Sequence, residues 1–250
     1  MGGDGGLQAH ALLLRSTADR GAAAGGRRPS LCHDGTPLVL SQKLQVGRAS
    51  AHRILVEPGD LAHDVPQQID LALWTAGRLV ELLGLSRAAG DLNAVVRRAR
   101  GPPAEGGGIW IGLESTAAGT DLRLYLNLRR GAAPERWRRL AETFAVLDPQ
   151  RGPGLVDDLR ERTAPLAVPV GLGLVLRPAG LAGLRVYLGV HRPDARTLTA
   201  AMPPGGRGAL RRFLVALEPA STRLPAQPAT LGFDYVRPEA AAFRPGPARG

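Results

Sequence analysis

Two segments of this chain repeat the same short pattern at a fixed distance. DLRLYLNLRR and GLRVYLGVHR both contain Leu-Arg-x-Tyr-Leu, and Arg123 lies 62 residues before Arg185, as Tyr125 does before Tyr187. The whole chain has three tyrosines, so two of them stand in this one pattern. Self-similarity at a fixed period is typical of a fold built from repeated supersecondary units. The repeat therefore constrains the fold more than any other feature of the sequence.

Each copy of the pattern lies in the second strand of a predicted β-hairpin. Short β-like runs flank Gly-containing turns, and runs with helical spacing of apolar residues follow the hairpins. The predicted strands are LVLSQKL with HRILVEP, IWIGLES with DLRLYLNL, VGLGLVLRP with GLRVYLGV, and a further strand TLGFDYV. The chain is therefore predicted to have an α+β fold of repeated αββα units with a period of about 60 residues.

Alternation along the repeated strands predicts two different faces of the sheet. Arg123 and Tyr125 share one face, and the leucines between them share the other. The apolar face has partners in the predicted helices, where Trp74 and Trp137 fall on apolar faces and are predicted to be core residues. Hairpins arranged around an axis with helices outside form an antiparallel barrel that can hold a ligand. The alternative is a one-sided sheet whose arginines and tyrosines face solvent.

Composition separates a central domain from two ends. Gly, Ala and Arg dominate residues 1–33 without a sustained period, which predicts a flexible leader. Residues 34–236 hold all of the predicted strands and are interpreted as one barrel domain. A flexible tail rich in Pro, Gly and Ala is predicted at 237–250.

The charge of the chain favours an anionic partner. The formal net charge is +10, which suits a phosphate or a diphosphate. The arginines are scattered along the sequence, and ten aromatic residues are few for base stacking, so nucleic acid is not predicted as a partner. A basic nucleic-acid-binding protein is kept as a third hypothesis, for which affinity would fall steeply with salt.

Other residue types predict neither a metal site nor a membrane partner. Cys32 is the single cysteine and the five histidines have no ligand spacing, so no metal site is predicted. The N-terminus lacks the pattern of a secretory signal, and the longest apolar stretch, VPVGLGLVL, is about half of a membrane span. The resulting expectation is a cytoplasmic protein.

The repeated arginine and tyrosine suit one kind of ligand. Two guanidiniums and two phenols that converge on a cavity match a diphosphate, because arginine supplies bidentate charge-assisted donors and tyrosine adds an O–H. The tyrosine rings would also stabilise a carbocation formed beside the diphosphate.

These motifs resemble those of the aromatic prenyltransferases with the αββα (ABBA) barrel, closest to the dimethylallyltryptophan synthase type. That family shows G-x-P-x-E-x-S on its first strand, R-x-x-x-E-P on the next and K/R-x-Y on later strands. This chain has GTPLVLS at 35–41, Arg53 followed by Glu57 and Pro58, and then the two Arg-x-Tyr strands. The resemblance covers roughly residues 31–236.

The resemblance implies a role for each matching residue. Arg53, Arg123 and Arg185 would bind the diphosphate, and Tyr125 and Tyr187 would donate hydrogen bonds and shield the allylic cation. The implied reaction is transfer of a dimethylallyl or geranyl group to an aromatic small molecule or peptide, without metal or other cofactor.

The chain departs from the family pattern at two places. Val39 stands where the family has the glutamate that contacts the indole N–H and serves as base. Glu57 is a candidate to replace this base, or is an ion-pair partner of Arg53 or an end-of-strand cap, while Glu114 and Asp234 are further inward-facing candidates to contact an acceptor. No K/R-x-Y strand follows TLGFDYV, so the barrel is predicted to be incomplete. A truncated, non-catalytic relic or binding module is therefore the alternative function.

Overall fold

The computed structural model describes residues 3–18, 38–43, 51–59, 65–100, 108–117, 119–129, 131–163, 167–190 and 229–236. Helices and strands alternate in the order that the repeat predicts. The helices are α1 Gly3–Ala18, α2 Val65–Leu82, α3 Ser86–Arg100, α4 Ala133–Leu147 and α5 Gly152–Thr163. The strands are β1 Leu38–Lys43, β2 Ala51–Val56, β3 Ile109–Thr116, β4 Gly119–Asn127, β5 Ala167–Arg177, β6 Gly180–Val190 and β7 Ala229–Val236.

All seven strands form one antiparallel sheet in which each strand pairs with its neighbour in sequence. Strands β1 and β7 are the edges of this sheet in the described part of the chain. The prediction of an α+β fold with an incomplete barrel of repeated hairpins is confirmed. Short turns join β3 to β4 and β5 to β6, as antiparallel pairing allows, and a pair of helices connects β2 to β3 and β4 to β5.

The two hairpins that carry the repeat close in the same way. Gly119 has a φ of 138° and begins β4, and Gly180 has a φ of 123° and begins β6. Residues with a Cβ rarely adopt this backbone conformation, so glycine at each position permits the tight turn. Arg123 follows Gly119 by four residues and Arg185 follows Gly180 by five, and a register shift between Val175 and Leu176 takes up the extra residue, so that each arginine lies opposite a glycine.

The apolar face of the sheet packs against helices α2, α3 and α4. Leucines and valines of β4, β5 and β6 are buried here, and Trp137 of α4 joins them with 4% exposure. The buried strand residues are Leu122, Leu124, Leu126, Leu172, Leu174, Leu176, Leu184, Val186 and Leu188. This face is the one that the alternation of the sequence predicts.

Trp74 does not lie in the core, contrary to the prediction. Its side chain on α2 is 58% exposed, whereas Ala72 and Ala76 are buried. Residues two apart on an α-helix do not share a face, so a helix that buries both alanines turns Trp74 outward.

Part of the segment predicted to be a flexible leader is helical. Within 1–33, residues 3–18 form α1, which buries Ala9 and Leu13 in the common core. His10 of α1 also lies 3.3 Å from the hydroxyl of Ser115 on β3. Two apolar contacts one helical turn apart are a short signal, which the surrounding Gly and Ala residues obscure in the sequence.

Some predictions fall outside the described residues. The rest of the leader including Cys32, the helix expected at GALRRFLVALEP and the tail at 237–250 are among them. Of the described helices, none combines the length and apolar character needed to cross a membrane.

Candidate functional site

Three charged side chains of adjacent strands form a cluster on the face of the sheet opposite the leucines. Arg53 of β2 is paired in register with Glu114 of β3, and Arg123 of β4 is the diagonal neighbour of Glu114. The Arg53 guanidinium donates through Nε to Glu114 Oε2 at 3.0 Å and also through Nη2. Arg123 Nη2 donates to Glu114 Oε1 at 2.8 Å. One carboxylate thus bridges two guanidiniums through its two oxygens.

The bridge keeps Glu114 charged although its side chain is 9% exposed. Burial by itself would raise the pKa of Glu114, but the hydrogen bond from Arg53 and the charges of Arg123 and Arg53 outweigh it and lower the pKa. Burial would conversely lower the pKa of Arg53, and its hydrogen bond to Glu114 leaves that pKa raised. Glu114 and Arg53 are therefore both ionised at neutral pH.

Arg123 retains an unused donor. Its Nε is buried and has no hydrogen-bond partner in the described part of the chain. A buried donor of this kind is costly unless an acceptor is supplied, and an anion can supply one.

The two tyrosines of the repeat meet above one glycine of β5. The rings of Tyr125 and Tyr187 have centroids 6.1 Å apart and are tilted by 45°. A Cβ at Gly173 would lie 3.3 Å from the Tyr187 ring and 3.4 Å from the Tyr125 ring. Glycine at this position leaves room for both rings.

Arg185 belongs to the same group through Tyr187. Burial and the neighbouring Tyr125 raise the pKa of Tyr187, and the charge of Arg185 and its hydrogen bond to Tyr187 partly oppose this rise. The Tyr187 phenol therefore remains protonated at neutral pH and keeps its O–H donor. In β7, Asp234 is the register partner of Arg185.

Glu57 is hydrogen-bonded to Trp110, and of the alternatives predicted for it the ion pair with Arg53 is not formed. The ion-pair partner of Arg53 is Glu114 rather than Glu57. Glu57 follows the end of β2, is 3% exposed, and accepts a hydrogen bond of 3.2 Å from the Trp110 indole N–H. Trp110 is the register partner of Tyr125, so Trp110 links the Glu57 carboxylate to the strand pair that carries Tyr125.

Val39 lies on the apolar side of the site. It pairs in register with Leu55, and a Cβ at Gly112 would lie 3.3 Å from the Leu55 side chain and 3.7 Å from Arg123 Cβ. The first two strands thus place aliphatic groups beside the arginine cluster, where a carboxylate would stand in the family pattern.

The site therefore brings together most of the residues that the sequence predicted, and gives Glu114 a larger part than predicted. The sequence predicts Glu114 as an inward-facing candidate to contact an acceptor, and in the structure it contacts Arg53 and Arg123. The sequence could have shown the contact between Glu114 and Arg123, because a short turn at Gly119 fixes the hairpin register and makes these two residues diagonal neighbours. In the described residues no group of three or more His, Cys, Asp and Glu side chains is placed to hold a metal ion.

Comparison with solved structures identifies the fold. The chain superimposes on 5-dimethylallyltryptophan synthase from Streptomyces coelicolor with a TM-score of 0.76 and 20% identity, over 95% of this chain and 69% of that one. The chain has the fold of a dimethylallyltryptophan synthase. The binary complex of PriB with product diphosphate gives a TM-score of 0.73 and 21% identity, over 94% of this chain and 67% of that one.

A further structural neighbour is a complex with two bound molecules. It is 6-dimethylallyltryptophan synthase from Micromonospora olivasterospora in complex with DMASPP and Trp, with a TM-score of 0.63 and 15% identity over 85% of this chain and 62% of that one. No protein-family model and no curated protein sequence matches this chain. The likeness is one of fold, and the sequence resemblance given by the Arg-x-Tyr strands agrees with it.

Proposed function

We propose that this protein transfers a prenyl group, dimethylallyl or geranyl, from an allylic diphosphate to an aromatic acceptor. The observation that carries this proposal is the placement of three arginines and two tyrosines on one face of a sheet with the dimethylallyltryptophan synthase fold.

Arg53, Arg123 and Arg185 are the proposed diphosphate ligands. Guanidinium groups bind phosphate oxygens through paired, charge-assisted hydrogen bonds. The buried Nε of Arg123 has no partner in the described part of the chain and offers a donor to a phosphate oxygen. In this proposal the arginines stabilise the charge of the leaving diphosphate, so no metal ion is required for ionisation.

Tyr125 and Tyr187 are proposed to act on the allylic group. When the C–O bond to the diphosphate breaks, its electron pair leaves with the diphosphate and C1 becomes an allylic cation. Two tyrosine rings with centroids 6.1 Å apart present π-electron density that stabilises this cation and excludes water. The acceptor ring then attacks C1, and a base removes the ring proton.

Glu57 is the carboxylate that we propose as this base. Glu114 is a poor base, because both of its oxygens accept hydrogen bonds from arginines and its pKa is lowered. Glu57 is held in place by the Trp110 indole N–H, which donates to its Oε2 at 3.2 Å. Val39 beside Leu55 makes the neighbouring wall apolar and favours an aromatic acceptor, small molecule or peptide, over a charged one.

Isothermal titration with dimethylallyl thiolodiphosphate in EDTA tests the diphosphate site. We expect micromolar binding by the wild type and at least about a hundredfold loss in the Arg123→Ala/Arg185→Ala variant. The matched control is Arg138→Ala/Arg162→Ala, which removes two exposed helix arginines from their ion pairs and should bind as the wild type does. Equal binding by both variants would contradict the proposal.

Transfer itself is tested with dimethylallyl diphosphate and a panel of aromatic acceptors. Release of inorganic diphosphate together with a product heavier by one dimethylallyl group supports a transferase. Binding without turnover on any acceptor would support the alternative, a binding module that keeps the barrel face without catalysis.

A further inference from the structure

Glu114 occupies the centre of the proposed diphosphate site rather than its edge. Its side chain is 9% exposed and contacts Arg53 and Arg123, whose side chains are 23% and 13% exposed. Arg53 uses its Nε and Nη2 for Glu114, and Arg123 uses one Nη2. The carboxylate thus makes the contacts with these arginines that an anionic ligand would also make.

We propose that Glu114 is an internal counter-ion of the diphosphate site, which orders Arg53 and Arg123 in the free protein and competes with the ligand for them. This inference rests on the proposed function of the same site. The carboxylate stabilises the free state by separating two like charges, and it opposes binding because it adds a negative charge beside the incoming phosphates.

The physical consequence is that affinity and stability respond in opposite directions to the loss of this charge. A guanidinium has five N–H donors, so Arg53 and Arg123 can bind a phosphate while some contacts to Glu114 persist. The remaining negative charge then weakens the ligand's hold and eases release of the product diphosphate. If Glu114 had only a structural role, its removal would instead lower the affinity for diphosphate, because Arg53 and Arg123 would lose their orientation.

The test is titration of the Glu114→Gln variant with inorganic diphosphate at low and physiological salt, with thermal melts in parallel. We expect binding roughly fivefold tighter than that of the wild type, since one negative charge near the phosphates is gone. The melting temperature should fall without ligand and rise more with ligand than it does in the wild type. Glu142→Gln is the matched control, because it also breaks an Arg–Glu ion pair, on the exposed face of α4, and should leave affinity unchanged.

The outcomes separate this inference from the function on which it rests. Wild-type binding with unchanged or weaker binding by Glu114→Gln overturns the inference and leaves the diphosphate site standing. Absence of binding by the folded wild type and by the folded variant overturns both. Detectable binding by the variant alone supports the counter-ion, since it shows that Glu114 suppresses the site.

A second comparison serves if Glu114→Gln alone fails to fold. Arg53→Gln leaves Glu114 paired with Arg123, whereas Arg53→Gln/Glu114→Gln leaves Arg123 without a neighbouring carboxylate from this cluster. The counter-ion predicts tighter diphosphate binding by the double variant than by Arg53→Gln. The reverse order would overturn the inference.

Discussion

Hairpins β3–β4 and β5–β6 place arginine, tyrosine and glycine in the same arrangement but differ at their other inward-facing positions. In both, the arginine of the repeat has a glycine as its register partner, Gly112 for Arg123 and Gly173 for Arg185. In both, the residues between arginine and tyrosine point to the leucine core. The two hairpins therefore share an arginine, a tyrosine, a glycine opposite the arginine, and an apolar reverse face.

The difference lies in the remaining inward positions. Trp110 is the partner of Tyr125, whereas Gly171 is the partner of Tyr187. Two positions further along the first strand of each hairpin from the glycine, β3 has Glu114 and β5 has Val175. The first hairpin thus contains an internal indole and an internal carboxylate, and the second leaves space. The repeated residues supply the proposed ligand-binding groups. The residues that differ between the hairpins determine which side chains contact those groups and how much space lies beside them.

The largest expected effect concerns the face that the hairpins share. Leu124→Ala and Leu184→Ala should each lower the free energy of unfolding by about 2–5 kcal/mol, because each removes a buried side chain from the same core. Urea unfolding followed by circular dichroism measures this loss. A large loss at Leu124 with none at Leu184 would break the comparison, since it would show that β6 does not share the core.

The arrangement that the two hairpins share is also the part of the structure that the sequence predicts best. Alternation with a period of two assigns Leu122 and Leu124 to the core and Arg123 to the other face, because a strand allows no third choice. The contact of Glu57 with Trp110 was not predicted, because it depends on which neighbouring strand approaches and in what register. Trp110 and Glu57 are 53 residues apart, and a single sequence carries no periodic signal for such a pair. The prediction that Trp74 lies in the core was wrong for a local reason. It gave the apolar character of the side chain more weight than its position between two buried alanines.

The next effect separates the two arginines of the repeat. Arg123→Ala should cost about 1–3 kcal/mol of stability, because it leaves a buried carboxylate oxygen of Glu114 without its partner. Arg185→Ala should cost less, about 0.5–1.5 kcal/mol, since its hydrogen bond to Tyr187 involves a neutral group. Thermal melts without ligand test the order, and an equal cost would show that Glu114 does not distinguish the hairpins.

A smaller effect should appear as a pH dependence that belongs to the first hairpin. The pKa of Glu114 is lowered in the folded protein, so its stabilising contribution is complete above the ordinary glutamate pKa of about 4.3 and is lost as pH falls through the lower folded pKa. The melting temperatures of wild type and Glu114→Gln should therefore differ most near pH 6 and converge in acid. Glu142→Gln, with an exposed carboxylate, serves as the control. A difference that stays constant down to pH 3 would mean that the charge of Glu114 contributes nothing to the bridge.

The smallest effect compares the two glycines that face the arginines. A Cβ at Gly112 would lie 3.1 Å from the backbone oxygen of Ile54, which the sheet holds in place, so Gly112→Ala should destabilise the protein by about 1 kcal/mol. A Cβ at Gly173 would instead meet the rings of Tyr125 and Tyr187, which can move by a few tenths of an ångström. Gly173→Ala should therefore leave the free energy of unfolding within about 0.5 kcal/mol of the wild type. It should nevertheless change the near-ultraviolet circular dichroism of the tyrosines and weaken binding of dimethylallyl thiolodiphosphate. If Gly112→Ala were instead the variant that alters the tyrosine signal, the open part of the site would lie in the first hairpin, and the assignment of the two hairpins would have to be exchanged.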